Sequence, residues 1–238
     1  MNLLAMDTSG PVAGVAVLRD GQVAYEAAAV NSMTHSVSLM PMVEEALTRS
    51  GLGIGDIDLY AAVTGPGSFT GVRIGVSVVK GMAHGAGKRC LGIDALEALA
   101  AGVSLEGALL CPIQDARAGQ VYGAAFEAGM PPRRRLENTA QELSLFVQSC
   151  LEAAQSREKL CFVGDGIPKH RSALTALLGE RACFLPAHLS YLRPASVAML
   201  AQAYADRAGD YLALQPQYLR APQAERARDA ARRKAEKP

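Results

Sequence analysis

The chain has 238 residues, half of them hydrophobic and a fifth charged, which is the composition of a folded globular protein. A formal net charge of +1 supplies no global field to recruit nucleic acid, so any such contact must come from a local patch or a partner. No apolar run approaches about 18 residues, so no membrane-spanning helix is expected, and MNLLAMDTSG lacks the basic and long apolar regions of a secretion signal.

Leu3 to Met6 is a short apolar run ending at Asp7, and Thr8, Ser9, Gly10 and Pro11 make a turn after it. Val12 to Leu18 reads as a second strand and Gln22 to Val30 as a third, joined by a hairpin turn with Asp20-Gly21 as its signal. Asn31 or Ser32 can cap the helix that follows, whose Leu39, Met42, Val43, Ala46 and Leu47 fall on one face. Pro41 lies inside this pattern and should kink the helix or mark its first turn; Gly51 ends it.

Leu59 to Val63 has the length and composition of a buried strand. The glycine-rich loop through Gly71 follows, and then a second helix. Val72, Val76, Val79 and Ala83 line one side of that helix, and Arg73, Ser77, Lys80 and His84 another. Arg89 to Ile93 is a strand, with Asp94 able to cap a helix running to about Ala101. Further on, Leu109 to Ile113, Gln120 to Phe126 and Lys159 to Val163 read as strands, and Met130 to Arg135 as a Pro- and Arg-rich loop. Helices fit near Ala140 to Ala154, Lys169 to Leu178 and Pro194 to Arg207.

This order predicts an α/β fold of two ribonuclease-H-like lobes, with mixed sheets flanked by helices. The expected division is an N-terminal lobe over 1–104, a C-terminal lobe over 105–222, and a flexible charged tail over 223–238 with six basic and three acidic residues. Cys90, Cys111, Cys150, Cys161 and Cys183 form no CxxC pair and mostly sit in apolar segments, which suits reduced thiols and the cytoplasm.

Two segments are candidates for phosphate. Gly65, Gly67, Ser68 and Thr70 belong to a loop joining a strand to a helix N-terminus, where free N–H groups and the helix dipole favour anions; the same loop can simply aim the helix. Asp7, Thr8 and Ser9 can hold Mg²⁺ and a phosphate, or form an ordinary Asx turn. No lysine follows the last glycine, as a P-loop requires. Gly71/Gly75 and Gly81/Gly85 are GxxxG steps, which imply close packing either within the fold or against another chain's helix. The four histidines form no metal-ligand spacing, His35 is read as a helix cap, and no catalytic residue emerges.

Together LLAMDTSG, THSVSLMPMVEEAL, TGPGSFTGVRIG, LGIDALEALA, QDARAGQVYGAAF and PQYLRAP resemble the TsaB family over nearly the whole chain. The resemblance implies two actin-like lobes and a role in attaching a threonylcarbamoyl group to the adenosine beside the tRNA anticodon. It implies a TsaD-like catalytic subunit and a TsaE-like ATPase as partners, with tRNA reached through the complex and a homodimer when the chain is alone. No cofactor is expected on the chain itself; ATP with Mg²⁺ belongs to the complex. The implied partner face is the first two helices, over 34–49 and 68–84, with His35, Leu39, Met42, Val43, Gly71, Arg73, Gly75 and Val79 as its candidate residues. TsaD-like enzymes carry a metal-binding HxxxH where this chain has Ala95 and Leu99, neither of which ligates a metal, so the resemblance implies a non-catalytic subunit. Two other readings stay open: an ATP-dependent enzyme of the same superfold acting on a small molecule, and direct tRNA binding through Arg133, Arg134, Arg135 and the basic tail from Arg226.

Overall fold

The computed structural model describes residues 1–30, 34–155 and 158–220. Its frame is two five-stranded mixed sheets. The first holds β1 (Leu3–Asp7), β2 (Ala13–Arg19), β3 (Gln22–Ala29), β4 (Leu59–Gly65) and β5 (Arg89–Asp94), in the order β3-β2-β1-β4-β5. The second holds β6 (Ala108–Asp115), β7 (Gln120–Glu127), β8 (Arg133–Glu142), β9 (Lys159–Val163) and β10 (Ala182–Phe184), in the order β10-β9-β6-β7-β8. In both, the first strand pairs antiparallel with the second and parallel with the fourth. One strand plan therefore occurs twice, as the ribonuclease-H-like reading requires, without a visible sequence repeat.

Side-chain alternation lets β1 serve two layers. Leu4 and Met6 face α1 (His35–Ser50) and α2 (Phe69–Ala86), where Leu39, Val43, Val72, Val76 and Val79 complete the core. Leu3 and Ala5 point the other way, into a central core with α3 (Ala95–Ala101) and α6 (Pro194–Ala203) that also takes in Leu110, Phe126 and Cys161 of the second sheet. Phe146, Phe162 and Leu174 seat α4 (Leu143–Ala153) and α5 (Ile167–Leu178) on the second sheet. Although α6 comes late in the chain, it packs on β1 and β2 of the first sheet.

Local chemistry explains several boundaries. Asp20 and Gly21 both have positive φ, 51° and 81°, which a tight hairpin needs at its two central residues. Asp94 caps α3 by accepting from the Glu97 N–H at 2.8 Å. Four predicted features differ. Arg133–Arg135 begin β8 instead of lying wholly in a loop, and β8 runs to Glu142, so α4 starts later than Ala140. The strand β10 was not foreseen, because three residues carry no period. The predicted helix to Arg207 stops at Ala203, with a separate 3-10 turn over Ala205–Arg207. Pro41 sits within a continuous α1 whose N-cap is Thr34; the predicted caps Asn31 and Ser32, like the tail over 223–238, lie outside the described residues. Among the described residues no helix is long and apolar enough to cross a membrane, and all five cysteines are free thiols.

Candidate functional site

β1 ends at Asp7 and leads through Thr8 to Ser9, which lines a cleft of about 610 Å³ between the two sheets. All three are almost fully buried. Asp7 accepts from the Ser9 N–H at 2.8 Å, the Asx turn foreseen as one of two readings. The Thr8 hydroxyl donates to the Gly71 carbonyl at 2.7 Å and accepts from the Gly75 N–H at 3.1 Å. It bolts β1 to the first turn of α2 and has little capacity left for a ligand.

The glycine loop closes on the same turn. The Ser68 N–H donates to the Ser9 carbonyl at 2.7 Å, and a Cβ at Gly67 would overlap that carbonyl oxygen. A Cβ at Gly65 would meet the Gln217 carbonyl. Ser68 caps α2 by accepting from the Gly71 N–H, and Thr70 is exposed on the first turn. Of the seven phosphate candidates, Ser9, Gly67, Ser68 and Thr70 line one wall of the cleft, while Asp7, Thr8 and Gly65 do not line it.

The opposite wall comes from residues to which the sequence reading gave little weight. Asp165 follows β9, within 3.8 Å of where a Cβ at Gly10 would lie. Burial, together with the nearby Asp115 and Asp7 carboxylates, pushes its pKa up to about 6. Burial also raises Asp7 against the hydrogen bonds from the Ser9 turn. Burial tends to raise Asp115 as well, but Lys169, 2.8 Å away, and the Arg117 N–H hold it below its usual range. Ser9 Oγ, Gln114 Oε1 and Asp165 Oδ1 are buried with no hydrogen-bond partner among the described residues. The signal for Asp165 was Gly164-Asp165-Gly166 after a strand, too common a turn sequence to single out. Among the described residues no three His, Cys, Asp or Glu side chains gather closely enough to hold a metal ion. Ala95 and Leu99 are buried in the central core.

A second concavity, of about 450 Å³, lies between α1 and α2. Leu39, Met40, Phe69, Arg73, Ile74 and Val78 line it; Met40 is 45% exposed there, and Val37, next in sequence to the lining Ser36, is 59% exposed. The candidate partner residues divide by burial. Leu39, Val43 and Val79 belong to the chain's own core, and Met42 is half-buried against it. His35 is no helix cap: its Nε2 donates to the Gly10 carbonyl at 2.9 Å. Gly71 and Gly75 are small because Thr8 occupies their face, which leaves no room there for another chain's helix. Only Arg73 of that set is well exposed. By contrast, a Cβ at Gly81 or Gly85 would meet nothing within 4 Å. Gly85→Ala is therefore expected to stabilise the chain by about 0.5–1 kcal/mol in urea unfolding.

The arginine run is already engaged. Arg133 and Arg135 both pair with Glu127, and Arg134 lies by Asp94, Glu97 and Glu137. This weakens the case for direct tRNA binding there, and the tail from Arg226 lies outside the described residues.

Comparison with known proteins places this geometry. The family model described as TsaD, tRNA N6-adenosine threonylcarbamoyltransferase, matches residues 28–228. The tRNA threonylcarbamoyladenosine biosynthesis protein TsaB of Bacillus subtilis is 31% identical over 94% of this chain and 96% of its own length. The solved structure of YeaZ from Pseudomonas aeruginosa superposes with a TM-score of 0.75 at 26% identity, covering 92% of this chain and 99% of that one. A ROK hexokinase from Thermus thermophilus, 11% identical with a TM-score of 0.51 over 86% of this chain and all of its own, shares the actin-like fold alone. By sequence over nearly its full length and by fold, this chain belongs to the TsaB family within the wider TsaD group.

Proposed function

We propose that the chain acts in threonylcarbamoyladenosine biosynthesis on tRNA as a non-catalytic subunit that docks a TsaD-family subunit on the α1–α2 groove. One observation carries the reading: the first two helices leave an apolar groove open, with Val37 and Met40 exposed, although the inner faces of both helices are fully used by the core. Solvent-facing apolar side chains around a concavity favour association. The hydroxyl of Thr8 is meanwhile committed to holding α2, which leaves the cleft poorly equipped for catalysis. The role of the Bacillus subtilis relative supplies the pathway. A TsaE-like ATPase joins the same assembly, tRNA is reached through the complex, and the same groove gives a homodimer when no partner is present.

Mixing the chain with a TsaD-family subunit should give one stable species in light scattering. Met40→Asp places a charge in the groove without touching the core, and is expected to weaken that association at least about tenfold, since a desolvated unpaired charge costs more than 1.4 kcal/mol. Two unmixed peaks for the unaltered proteins would sink the reading.

The second reading, an ATP-dependent enzyme, draws on the cleft. Asp165 lines the cleft and shares a small adjoining pocket with Asp7; both are oxygen donors of the kind Mg²⁺ accepts, and Ser9 Oγ is buried and unpartnered among the described residues. These groups fit a Mg–nucleotide only in part, because Thr8 is spent and the Asp115 carboxylate is held by Lys169. Within the docking reading, ATP with Mg²⁺ takes its place at the joint surface of the complex. Calorimetry with ATP and Mg²⁺ on the chain alone separates the two: heat of binding favours the enzyme, and none at millimolar nucleotide ends it.

A further inference from the structure

The polar stripe of α2 has a later segment of the chain laid against it, although Arg73, Ser77 and His84 stay exposed. Residues 209–220 run back along it, antiparallel to the helix. Gly209 exchanges two backbone hydrogen bonds with Cys90 on β5. Tyr211 stacks on His84, with ring centroids 4.3 Å apart. Leu214 is buried in the α2 core, and its carbonyl accepts from Lys80 Nζ at 3.1 Å. The Gln217 N–H donates to the Thr64 carbonyl at 2.8 Å. Tyr218 then meets the first turn of α2. Its ring centroid is 4.7 Å from that of Phe69, and its hydroxyl accepts from Arg73 Nε at 2.8 Å. The Arg73 guanidinium lies 3.8 Å above the Phe69 ring. His84, Lys80, Arg73 and Phe69 fall on one face of the helix, so the segment contacts a single stripe along the helix.

Phe69 and Arg73 also line the α1–α2 groove. Arg73 makes no ion pair among the described residues. Left to itself, an exposed arginine samples many rotamers, and ordering it on binding costs free energy. Here a tyrosine hydroxyl and two rings hold it at the rim of an apolar surface, with no carboxylate paired to it among the described residues.

We infer that residues 209–220 form a positioning strap for the docking groove, with Tyr218 fixing Phe69 and Arg73 in the arrangement that a partner segment reads. That segment is apolar with a carboxylate placed to meet Arg73. The inference rests on the docking function proposed above. Tyr218 touches no reacting group; it acts through Arg73 and Phe69.

The test is calorimetric titration of the full chain with a TsaD-family subunit. Tyr218→Ala is expected to bind about tenfold more weakly, and Tyr218→Phe, which keeps the ring over Phe69, within about threefold of the unaltered chain. The signature is non-additivity: in an Arg73→Ala background, Tyr218→Ala should cost little more. Because Tyr218 is 41% exposed, its truncation leaves the core intact, and unchanged thermal midpoints would verify this. If the unaltered chain does not bind, the docking function fails and the strap with it. If it binds and Tyr218→Ala binds equally well, or if the two losses simply add, docking stands and the strap is overturned.

Discussion

Gly71→Ala is expected to destabilise the chain by about 3 kcal/mol or more, near the upper end of single-residue overpacking effects. A Cβ there would overlap the Thr8 carbonyl oxygen, which is main chain in a turn bound on both sides and has no soft side chain to give way. Relief requires α2 to move off β1. That movement breaks the bonds from Thr8 to the Gly71 carbonyl and from the Gly75 N–H to Thr8, both buried, and a buried polar group left unpaired costs about 1–3 kcal/mol. Urea titration measures the loss directly. A loss below about 1 kcal/mol would show that the turn yields and that its rigidity has been misjudged. The result also bears on interface mapping. A substitution at Gly71 or Gly75 that abolishes pairing would report a damaged subunit before it reported a damaged interface.

Asp165→Asn should raise stability at pH 8 by about 2–3 kcal/mol and leave it nearly unchanged near pH 4. The carboxyl is held at about 6, against about 4 in an unfolded chain, chiefly by burial and further by Asp115 and Asp7. A raised acid binds its proton more readily when folded. Its contribution is therefore fully present below about pH 4, fades as pH rises through about 6, and does not change further above that. Asparagine keeps the shape and never ionises, so it keeps the low-pH stability at every pH. Lys169, His170, His35, Asp115 and Asp7 share the neighbourhood, and the difference between the two proteins cancels most of their titration. Urea midpoints across pH 4–8 supply the comparison, and two parallel profiles would refute it.

The elements that could be read in advance are those with a strong period or a dedicated residue. β1, β4 and α2 show their burial in composition, Asp20-Gly21 announces its turn, and Asp94 its cap. The strand β8 was hidden because RRRLENTAQE is half-exposed along its length and is held to β7 by backbone pairing, which leaves no alternating apolar trace. The cleft was half legible. Asp7 to Ser9 and the glycine loop are adjacent to strand ends, where sites form, while Asp165 and the 217–220 segment reach them only through tertiary packing. The glycine steps illustrate the limit most clearly. Gly71 and Gly81 look alike in sequence, yet one faces a carbonyl and the other open space. The difference lies in Thr8, more than sixty residues earlier.

The route of residues 209–220 has a consequence for synthesis. About half the chain separates the end of α2 from the segment that covers it. At about 5–20 residues per second, translation leaves that stripe bare for on the order of ten seconds after α2 emerges. During that interval β1, β4, α1 and α2 have been made while Leu214, which completes their shared core, has not, and Arg73 is unrestrained. A nascent chain thus carries the proposed docking groove before it carries the segment proposed to order it. Timing alone would then bias assembly toward finished subunits.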